Sequence, residues 1–213
     1  DSEIKLMASK GFRYPTIREL YMFRPANADL NPEKLWSYEL SYSQRLLQGR
    51  LSYGVNAFYI DGKDLIMRVP VDGRQMNVNT GKVENAGVEA QVAYRLASAW
   101  SLDANYSYLH MDNSVLASPE HKLYAGAAFS KGRWYVSTGC QYVAGLYTEV
   151  KVAGQGDYAT EDFVLWNLRG SFRASEWLNI WVRGENLLAR KYEINAGFPM
   201  PKATVMAGVN VRF

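Results

Sequence analysis

Hydrophobic and polar residues alternate with a period of two along most of this chain. In residues 85–96 the even positions are apolar, and the odd positions carry mainly Asn, Gly, Glu, Gln and Arg. Residues 202–213 show the same alternation with the apolar residues at odd positions. Successive side chains of a strand point to opposite faces, so each segment predicts a strand with one apolar and one polar face. We therefore expect Glu89 and Asn210 on the polar face.

The alternation and its interruptions predict an all-β, antiparallel, up-and-down chain of ten strands. The expected strands are 2–10, 34–46, 50–61, 83–96, 99–110, 121–130, 133–143, 162–173, 177–186 and 202–213. Ordinary strands run about 5–6 residues, whereas a tilted transmembrane strand needs about 9–11. The predicted lengths therefore favour a transmembrane β-barrel over a soluble β-sandwich, which stays open as the alternative.

The connections between these strands alternate in length. Short turns are expected at 48–49, 97–98, 131–132 and 174–175, and long loops at 11–33, 61–82, 111–120, 144–161 and 187–201. Barrels of the bacterial outer membrane have short periplasmic turns and long extracellular loops. Trp100 and Trp134 follow short turns, while Trp36, Tyr108 and Tyr142 lie near long loops. These positions predict the two aromatic girdles of such a barrel.

Composition and charge exclude several other classes of protein. The chain has 213 residues, enough for one domain, with 48% hydrophobic and 14% aromatic residues. The net charge is +3, from 24 basic and 21 acidic residues, which does not suggest a nucleic-acid partner. No apolar run is long enough for a transmembrane helix, and the single Cys140 excludes an internal disulfide. The start at Asp1 lacks a signal peptide, so we expect further residues upstream.

Several short motifs, in one order, resemble those of TonB-dependent receptors. They are Gly11-Phe12-Arg13-Tyr14-Pro15-Thr16, Glu19-Leu20-Tyr21, Asn27-Ala28-Asp29-Leu30-Asn31-Pro32-Glu33, Asn85-Ala86-Gly87-Val88-Glu89, Ser118-Pro119-Glu120-His121-Lys122-Leu123, Glu185-Asn186-Leu187-Leu188 and Lys191-Tyr192. The terminal Phe213 resembles the C-terminal aromatic that marks outer-membrane proteins for insertion. One departure is Ala28, where the family often has Pro.

The resemblance implies that residues 1–213 are the C-terminal part of a 22-stranded barrel, with the plug domain and the N-terminal strands outside this sequence. It implies a receptor in the outer membrane of a Gram-negative bacterium, in contact with lipid and lipopolysaccharide. Uptake of a scarce small molecule would be driven by the TonB complex through the plug. A ferric siderophore is the expected ligand, with vitamin B12 or an oligosaccharide as alternatives. No His lies in residues 16–26, which disfavours haem.

Cationic and aromatic loop residues are the candidate ligand contacts, and charged residues of polar parity are expected to line the lumen. The first set is Arg13, Tyr14, Tyr21, Arg24, Arg68, Arg74, Tyr147 and Lys151; the second is Glu39, Glu89, Asp103, Arg169 and Arg183. Arginine can pair with an anionic ligand, and tyrosine can stack on it or donate a hydrogen bond. Solvated loop tips, or contacts with lipopolysaccharide phosphates, are the competing interpretation.

No catalytic set, metal motif or cofactor motif is found, and we do not expect an enzyme. His110, His121 and Asp112 flank one long loop, which keeps an outer-membrane protease as an alternative, although no motif orients a nucleophile or a water. A passive porin is the other alternative.

An open sheet edge is costly in hydrocarbon because unpaired backbone groups find no water there. The first and last strands run in opposite directions and could pair. We therefore expect strands 2–10 and 202–213 to hydrogen-bond to each other and to close a small barrel. An open arc is the competing outcome.

Overall fold

The fold is a single antiparallel sheet of ten strands that pair in chain order, seen in a computed structural model that describes residues 1–112, 115–149, 158–159 and 162–212. Its strands are β1 (Ser2–Arg13), β2 (Glu33–Leu46), β3 (Leu51–Val71), β4 (Arg74–Arg95), β5 (Trp100–Met111), β6 (His121–Lys131), β7 (Trp134–Ala144), β10 (Phe163–Arg173), β11 (Leu178–Glu185) and β12 (Thr204–Val211). A separate hairpin joins β8 (Tyr147–Glu149) to β9 (Tyr158–Ala159), and one short helix, α1, spans Ile17–Leu20. Among the described residues no helix is long and apolar enough to cross a membrane.

The strand register confirms the predicted polar face. Glu89 lies directly opposite Asn56 of β3 and Ser107 of β5, and directly opposite residues share a face. All three residues line a hollow of about 480 Å³, and Asn210 lines another of about 570 Å³ near the other edge. The sheet is therefore concave on its polar side, which we call the inner face.

The opposite, outer face is apolar and uncovered. Leu6 and Val209 are 82% and 62% exposed, as expected for a single layer that must be covered by lipid or detergent. Aromatic pairs mark the short-turn end of this face, where Trp100 packs on Phe129 at 5.0 Å between ring centroids and Trp134 on Phe172 at 4.5 Å. At the other end Trp36, Tyr38 and Tyr59 stack in a row, and Tyr108 and Tyr142 also lie there. The positions of the two predicted girdles are thus confirmed.

Two inner-face glycines make room for large rings on a neighbouring strand. A Cβ added to Gly87 would lie 2.4 Å from the ring of Phe58, and one added to Gly208 would lie 2.6 Å from the ring of Trp181. In each pair the aromatic ring occupies the space that a side chain at the glycine would need. The glycines therefore give the inward-facing rings of Phe58 and Trp181 room on the inner face.

The predicted long loop at 61–82 is wrong. β3 and β4 continue through this range as a 21- and a 22-residue strand and meet in a tight turn at Asp72 and Gly73. Both turn residues have positive φ, the conformation that two-residue hairpin turns favour. Register shifts between Gly62 and Leu65 and between Leu65 and Ile66 interrupt the pairing here. The polar run at 61–64 lies at the same place, so the strand is not evident in the sequence.

The predicted closure of a small barrel is also wrong. β1 pairs only with β2 and β12 only with β11 in the described part of the chain, and they form the two edges of an open arc. Strand number, stagger and curvature are linked in a barrel. A sheet with the curvature of a wide barrel must bend much more sharply to close with ten strands, and this sheet does not.

Candidate functional site

The long connections all lie at one end of the sheet, which we call the loop end. The short connections 47–50, 96–99, 132–133 and 174–177 lie at the opposite, turn end. At the loop end the structure forms two groups. One joins residues 14–32 to the β3–β4 hairpin, and the other joins residues 115–120, 144–149 and 186–203.

A forked arginine holds the base of the first group. The Arg13 guanidinium donates two hydrogen bonds to Glu33, at 2.6 and 2.7 Å, and two to Glu19, at 3.0 and 3.2 Å. Glu33 also accepts the Ile66 amide of β3 at 2.8 Å. Paired N–H···O bonds of this kind fix geometry as well as charge. Arg13 is therefore committed to two carboxylates and ties β1, α1 and β2 together.

Helix α1 begins in a capping box. The Thr16 hydroxyl accepts the Glu19 amide, and the Glu19 carboxylate accepts the Thr16 amide at 2.7 Å. Such reciprocal bonds satisfy donors that a helix start would otherwise leave free. Hydrogen bonds from Arg13, and then from the Thr16 backbone, lower the pKa of the Glu19 carboxyl from its ordinary value of 4.5 to about 2. Glu19 thus stays ionised over the whole physiological pH range.

Two asparagines of β4 fasten the rest of residues 14–32 to the hairpin. The backbone N–H of Asn77 donates to the Pro25 carbonyl at 2.8 Å. The backbone carbonyl of Asn77 accepts a hydrogen bond from the Asn27 side chain, also at 2.8 Å. The Asn79 side chain accepts the Asn31 amide at 2.7 Å and donates to the Asn31 carbonyl at 2.9 Å. The segment is thus fixed at both ends, by Arg13 and by β4. We call residues 13–33 with Asn77 and Asn79 the clamp.

The clamp leaves large apolar side chains uncovered. Tyr14 and Tyr21 are 66% and 67% exposed, and Phe23 is 80% exposed. The candidates Arg24, Arg68 and Arg74 are exposed on the same segment and hairpin. The clamp also exposes Ile17, Arg18 and Met22. The structure therefore brings most of the predicted ligand contacts to one part of the loop end, and it adds Phe23.

Asn186 is the centre of the second group. Its side chain donates to the Arg190 carbonyl at 2.8 Å and to the Pro201 carbonyl at 3.0 Å, and it accepts the Arg190 amide at 3.0 Å. It is 4% exposed. Every polar atom of this side chain thus has a partner, which is what a buried amide requires. These bonds give the Glu185-Asn186-Leu187 motif a structural role, holding residues 186–201 in place.

Backbone bonds join the three connections of this group. The Ala117 amide donates to Tyr147 and the Ala196 amide to Thr148, at 2.9 and 3.1 Å. Val143, Leu146 and Phe163 form a small buried cluster beneath them, extended by Leu165 and Tyr192. The candidate Tyr147 is half-buried here. Lys151 lies outside the described residues, as does Phe213.

The candidate lumen residues all lie on the inner face. Glu89 and Asp103 line the inner hollows. Glu39 lies opposite Phe58, whose ring covers inner-face Gly87. Arg169 lies directly opposite Arg183, which pairs with Glu185. Like charges directly opposite each other are unfavourable in an isolated sheet.

The histidines lie on the outer face. His121 lies opposite Tyr108 and shares a 2.8 Å hydrogen bond with the Tyr106 hydroxyl, while His110 Nε2 lies 3.9 Å from Asp112. His121 thus packs against the rings of Tyr106 and Tyr108, whereas His110 is exposed. Within the described ranges no group of three or more His, Cys, Asp or Glu residues could hold a metal ion.

Sequence reasoning missed Phe23, Asn77 and Asn79. Asn77 and Asn79 fell within a predicted loop, where asparagine is ordinary. Phe23 lies within the motif region, but only the structure shows its exposure. The apolar residues at 65, 67, 69 and 71, which keep the odd parity of β3, were the available signal that the strands extend through this range.

Comparison with known proteins adds the family. Residues 3–187 match the family described as TonB dependent receptor-like, beta-barrel. The ferric-pyoverdine M114 receptor PbuA of a Pseudomonas species is 25% identical over 178 residues, which cover 76% of this chain and 21% of that protein. The vitamin B12 transporter BtuB of Photobacterium profundum is 21% identical over 224 residues, covering 100% of this chain and 36% of that protein.

A solved structure shows the same fold. The copper transporter OprC superposes with a TM-score of 0.79 at 19% identity, covering 100% of this chain and 37% of that one. The chain thus spans about a fifth to about a third of the relatives that it matches.

Proposed function

This chain belongs to the TonB-dependent receptor family through its β-barrel domain, and from that premise we propose that it serves in the TonB-dependent uptake of a ferric siderophore. Its place is the outer membrane of a Gram-negative bacterium. The observation that carries the proposal is the match over residues 3–187 together with an aromatic and cationic surface at the loop end. The printed name of one relative, a ferric-pyoverdine receptor, supports a ferric ligand.

The proposed contact surface lies on the clamp and the adjoining hairpin. It consists of Tyr14, Tyr21, Phe23, Arg24, Arg68 and Arg74. Exposed rings can stack on a flat ligand, and arginine forks bind anionic oxygens in pairs. Arg13 is left out of this set because Glu19 and Glu33 already occupy its donors.

We propose that Tyr147 of the second group adds a contact, and that Lys151, which lies outside the described residues, adds another. Tyr147 is held in place by the Ala117 amide. A ligand bound over the inner face would lie between the first and the second group of loop-end residues. This arrangement suits a molecule larger than a single ring.

The inner face is proposed to hold a plug domain supplied by the rest of a 22-stranded receptor, of which residues 1–213 form the C-terminal part. Glu39, Glu89, Asp103, Arg169 and Arg183 would contact that domain. The Arg169–Arg183 juxtaposition supports this, because Glu185 pairs with Arg183 and a carboxylate from the plug could pair with Arg169 in the same way. The TonB complex would act through the same domain.

The outer face is proposed to contact membrane lipid and lipopolysaccharide. Its exposed apolar side chains, bounded by aromatic girdles at both ends, match the lipid-facing band of outer-membrane barrels.

A growth assay tests the ligand. A strain lacking the full-length receptor should fail to grow on one ferric siderophore as the iron source and should recover with the intact gene. A variant with Tyr21→Ala and Phe23→Ala should restore growth only weakly, whereas Ile17→Ala, also exposed on the clamp, should restore it fully. Loss of vitamin B12 uptake, with growth on every ferric chelate unchanged, would reject the siderophore in favour of B12.

An outer-membrane protease and a passive porin are the two alternative functions. A protease needs an oriented nucleophile or water, and His110, His121 and Asp112 lie on the outer face, away from the inner hollows. A passive porin does not need a clamp of ordered residues at the loop end. Uptake that continues without a proton gradient in the full receptor would favour the porin.

A further inference from the structure

An exposed tryptophan and three arginines lie together on the inner face, at the turn end of β7, β10, β11 and β12. Arg173 lies directly opposite Arg133, whose carbonyl accepts the Arg173 amide at 2.9 Å. The Arg212 amide donates to the Trp177 carbonyl, also at 2.9 Å, so these two residues lie opposite each other as well. Arg173, Trp177 and Arg212 line one hollow of about 570 Å³. We call Arg133, Arg173, Trp177 and Arg212 the turn-end cluster.

The Trp177 ring differs in its position from the other tryptophans at this end of the sheet. Trp100 and Trp134 lie on the outer face, where each packs on a phenylalanine ring. Trp177 instead has the parity of Asn179, which lies opposite Asn210 on the inner face, and it is 57% exposed. A large ring left uncovered on the polar side of a sheet offers a flat surface on which another planar group can stack.

The arginines make the turn-end cluster positively charged. Like charges directly opposite each other, such as Arg133 and Arg173, are unfavourable in a sheet. In the part of the chain that the structure describes, no carboxylate lies within ion-pair distance of Arg133, Arg173 or Arg212. Glu176 lines the same hollow, and the cluster remains net positive beside it. The Arg133 guanidinium donates to the Ala174 carbonyl at 3.3 Å. An anion bound here would offset the repulsion between the arginines.

The spacing of the strands allows the three arginines to contact one ligand. The Cα atoms of directly opposite residues, such as Arg133 and Arg173, are about 5 Å apart. Arg173 lies opposite Asn179, Asn179 lies opposite Asn210, and Arg212 follows two residues later. With neighbouring strands about 4.8 Å apart and a rise of about 3.3 Å per residue, Arg212 lies about 12 Å from Arg173. Two long side chains cover this distance, and arginine forks bind anionic oxygens in pairs.

The turn-end cluster repeats the chemistry of the proposed ligand surface at the loop end, where exposed rings also lie beside arginines. Arg169 and Arg183 lie between the two surfaces on the inner face, four residues, or about 13 Å, from Arg173 along β10. The inner face of β2–β5 carries carboxylates instead, namely Glu39, Glu89 and Asp103. An anion moving along the inner face is therefore attracted to β10–β12 and repelled by β2–β5.

We propose that the turn-end cluster is an exit site, which binds an anionic ferric chelate with aromatic groups before the chelate leaves the lumen. The Trp177 ring stacks on an aromatic group of the chelate, and the three arginines bind its anionic oxygens. Short turns of such barrels are periplasmic, so the cluster lies at the periplasmic mouth. The inference rests on the proposed uptake of a ferric siderophore, and it narrows that siderophore to an anionic, aromatic class.

The test measures surface binding and uptake separately in cells that carry the full-length receptor. The probe is a radio-iron tris-catecholate chelate, which is anionic and aromatic, and a neutral tris-hydroxamate chelate is its comparison. Surface binding is measured in cells treated with a protonophore, and uptake in energised cells. The cluster variant carries Arg133→Gln, Arg173→Gln and Arg212→Gln. The matched control carries Arg45→Gln, Arg50→Gln and Arg95→Gln, the same charge change at the turn end of β2–β4. There the hollow beside Arg45 is also lined by carboxylates, those of Asp1, Glu3 and Asp103.

The cluster variant should slow uptake without weakening surface binding. One exposed ion pair changes an equilibrium by up to about fivefold, so the loss of three should lower the maximal uptake rate of the tris-catecholate chelate roughly tenfold. The affinity of surface binding should stay at the wild-type value, because the loop-end contacts are unchanged. The control variant should keep the wild-type uptake rate. Trp177→Ala should also slow uptake, and Trp177→Phe, which keeps a ring, should restore most of the rate.

Several results would overturn the exit site. Normal uptake by the cluster variant, or equal loss in the control, would remove it and leave the proposed function standing. Uptake of the tris-hydroxamate but not of the tris-catecholate would reject the anionic class while keeping siderophore uptake. A cluster variant that admits a large antibiotic excluded by the wild type would have a displaced plug, which would make the cluster a plug contact instead. Absence of surface binding of every ferric chelate by the wild type would reject the proposed function itself.

Discussion

Replacing Arg13 with Met removes the centre of the clamp. Arg13 makes four hydrogen bonds, in two forks, to Glu33 and Glu19. Met has a similar length but no donors, so both carboxylates lose their shared cation. We expect the barrel strands to stay paired, because their backbone ladders do not involve this side chain. The expected result is local release of residues 14–32 from the hairpin.

The size of the effect follows from exposure. A hydrogen bond to a charged group contributes about 1.5–3 kcal/mol when water is excluded, and an exposed ion pair contributes roughly 0–1 kcal/mol. Arg13 is 46% exposed, and its partners Glu33 and Glu19 are 15% and 25% exposed. Each of the two forks lies between these limits, at about 1 kcal/mol. We therefore expect about 2 kcal/mol in the opening equilibrium, or an opening roughly 30-fold more frequent.

Amide hydrogen exchange on the full-length receptor measures this opening. The Asn31 and Asn77 amides, which are bonded across the clamp, should exchange faster in Arg13→Met. The control is Arg18→Met, which removes the same charge from the same segment at an exposed position. Arg13→Lys should give an intermediate rate, because one ammonium cannot form two forks.

Two results would refute the reasoning. One is wild-type exchange of Asn31 and Asn77 in Arg13→Met, which would mean that β4 alone holds the segment. The other is equal acceleration in Arg18→Met, which would make the effect one of net charge and not of the fork.

Three further predictions concern the second group, pH and the terminus. Asn186→Ala should lower the free energy of unfolding by roughly 2–3 kcal/mol, because three part-buried hydrogen bonds of this buried side chain are lost; thermal unfolding checks this, and an effect no larger than that of the exposed Asn195→Ala would contradict it. The Glu19 pKa is lowered from 4.5 to about 2, so its contribution is complete above 4.5 and is lost as the pH falls through about 2. The protection of the Asn31 amide, relative to its intrinsic exchange rate at each pH, should fall over that interval in the wild type and should fall less in Glu19→Gln, where only Glu33 still titrates against Arg13. Deleting Phe213 should reduce the amount of receptor assembled in the outer membrane, and an unchanged surface level would end the idea that this residue is an insertion signal.

Local alternation was enough to predict most strands and both faces. Glu89 and Asn210 were assigned to the polar face from their parity alone, and the register bears this out. The reason is geometric, since each strand residue points opposite to its neighbour whatever lies around it. The same rule failed at 61–82, where a polar run at 61–64 and register shifts between Gly62 and Ile66 interrupt the pattern.

Some residues of the clamp could be identified from the sequence, but their hydrogen-bond partners could not. Arg13, Glu19 and Glu33 lay within motifs that carry the family resemblance, but their mutual hydrogen bonds were not predicted. Asn77 and Asn79 lie about 50 positions from their partners in the chain. A polar residue near a turn has many possible partners, and only the folded chain selects one.

The amino-acid sequence by itself determined the strand class, the two faces and the family, because alternation and short motifs are properties of neighbouring residues. The tertiary structure decided that the sheet stays open and that residues 14–32 are fixed to β4. Closure depends on strand number, stagger and curvature together, and the clamp depends on hydrogen bonds between distant segments. Both arise only when the whole sheet has formed.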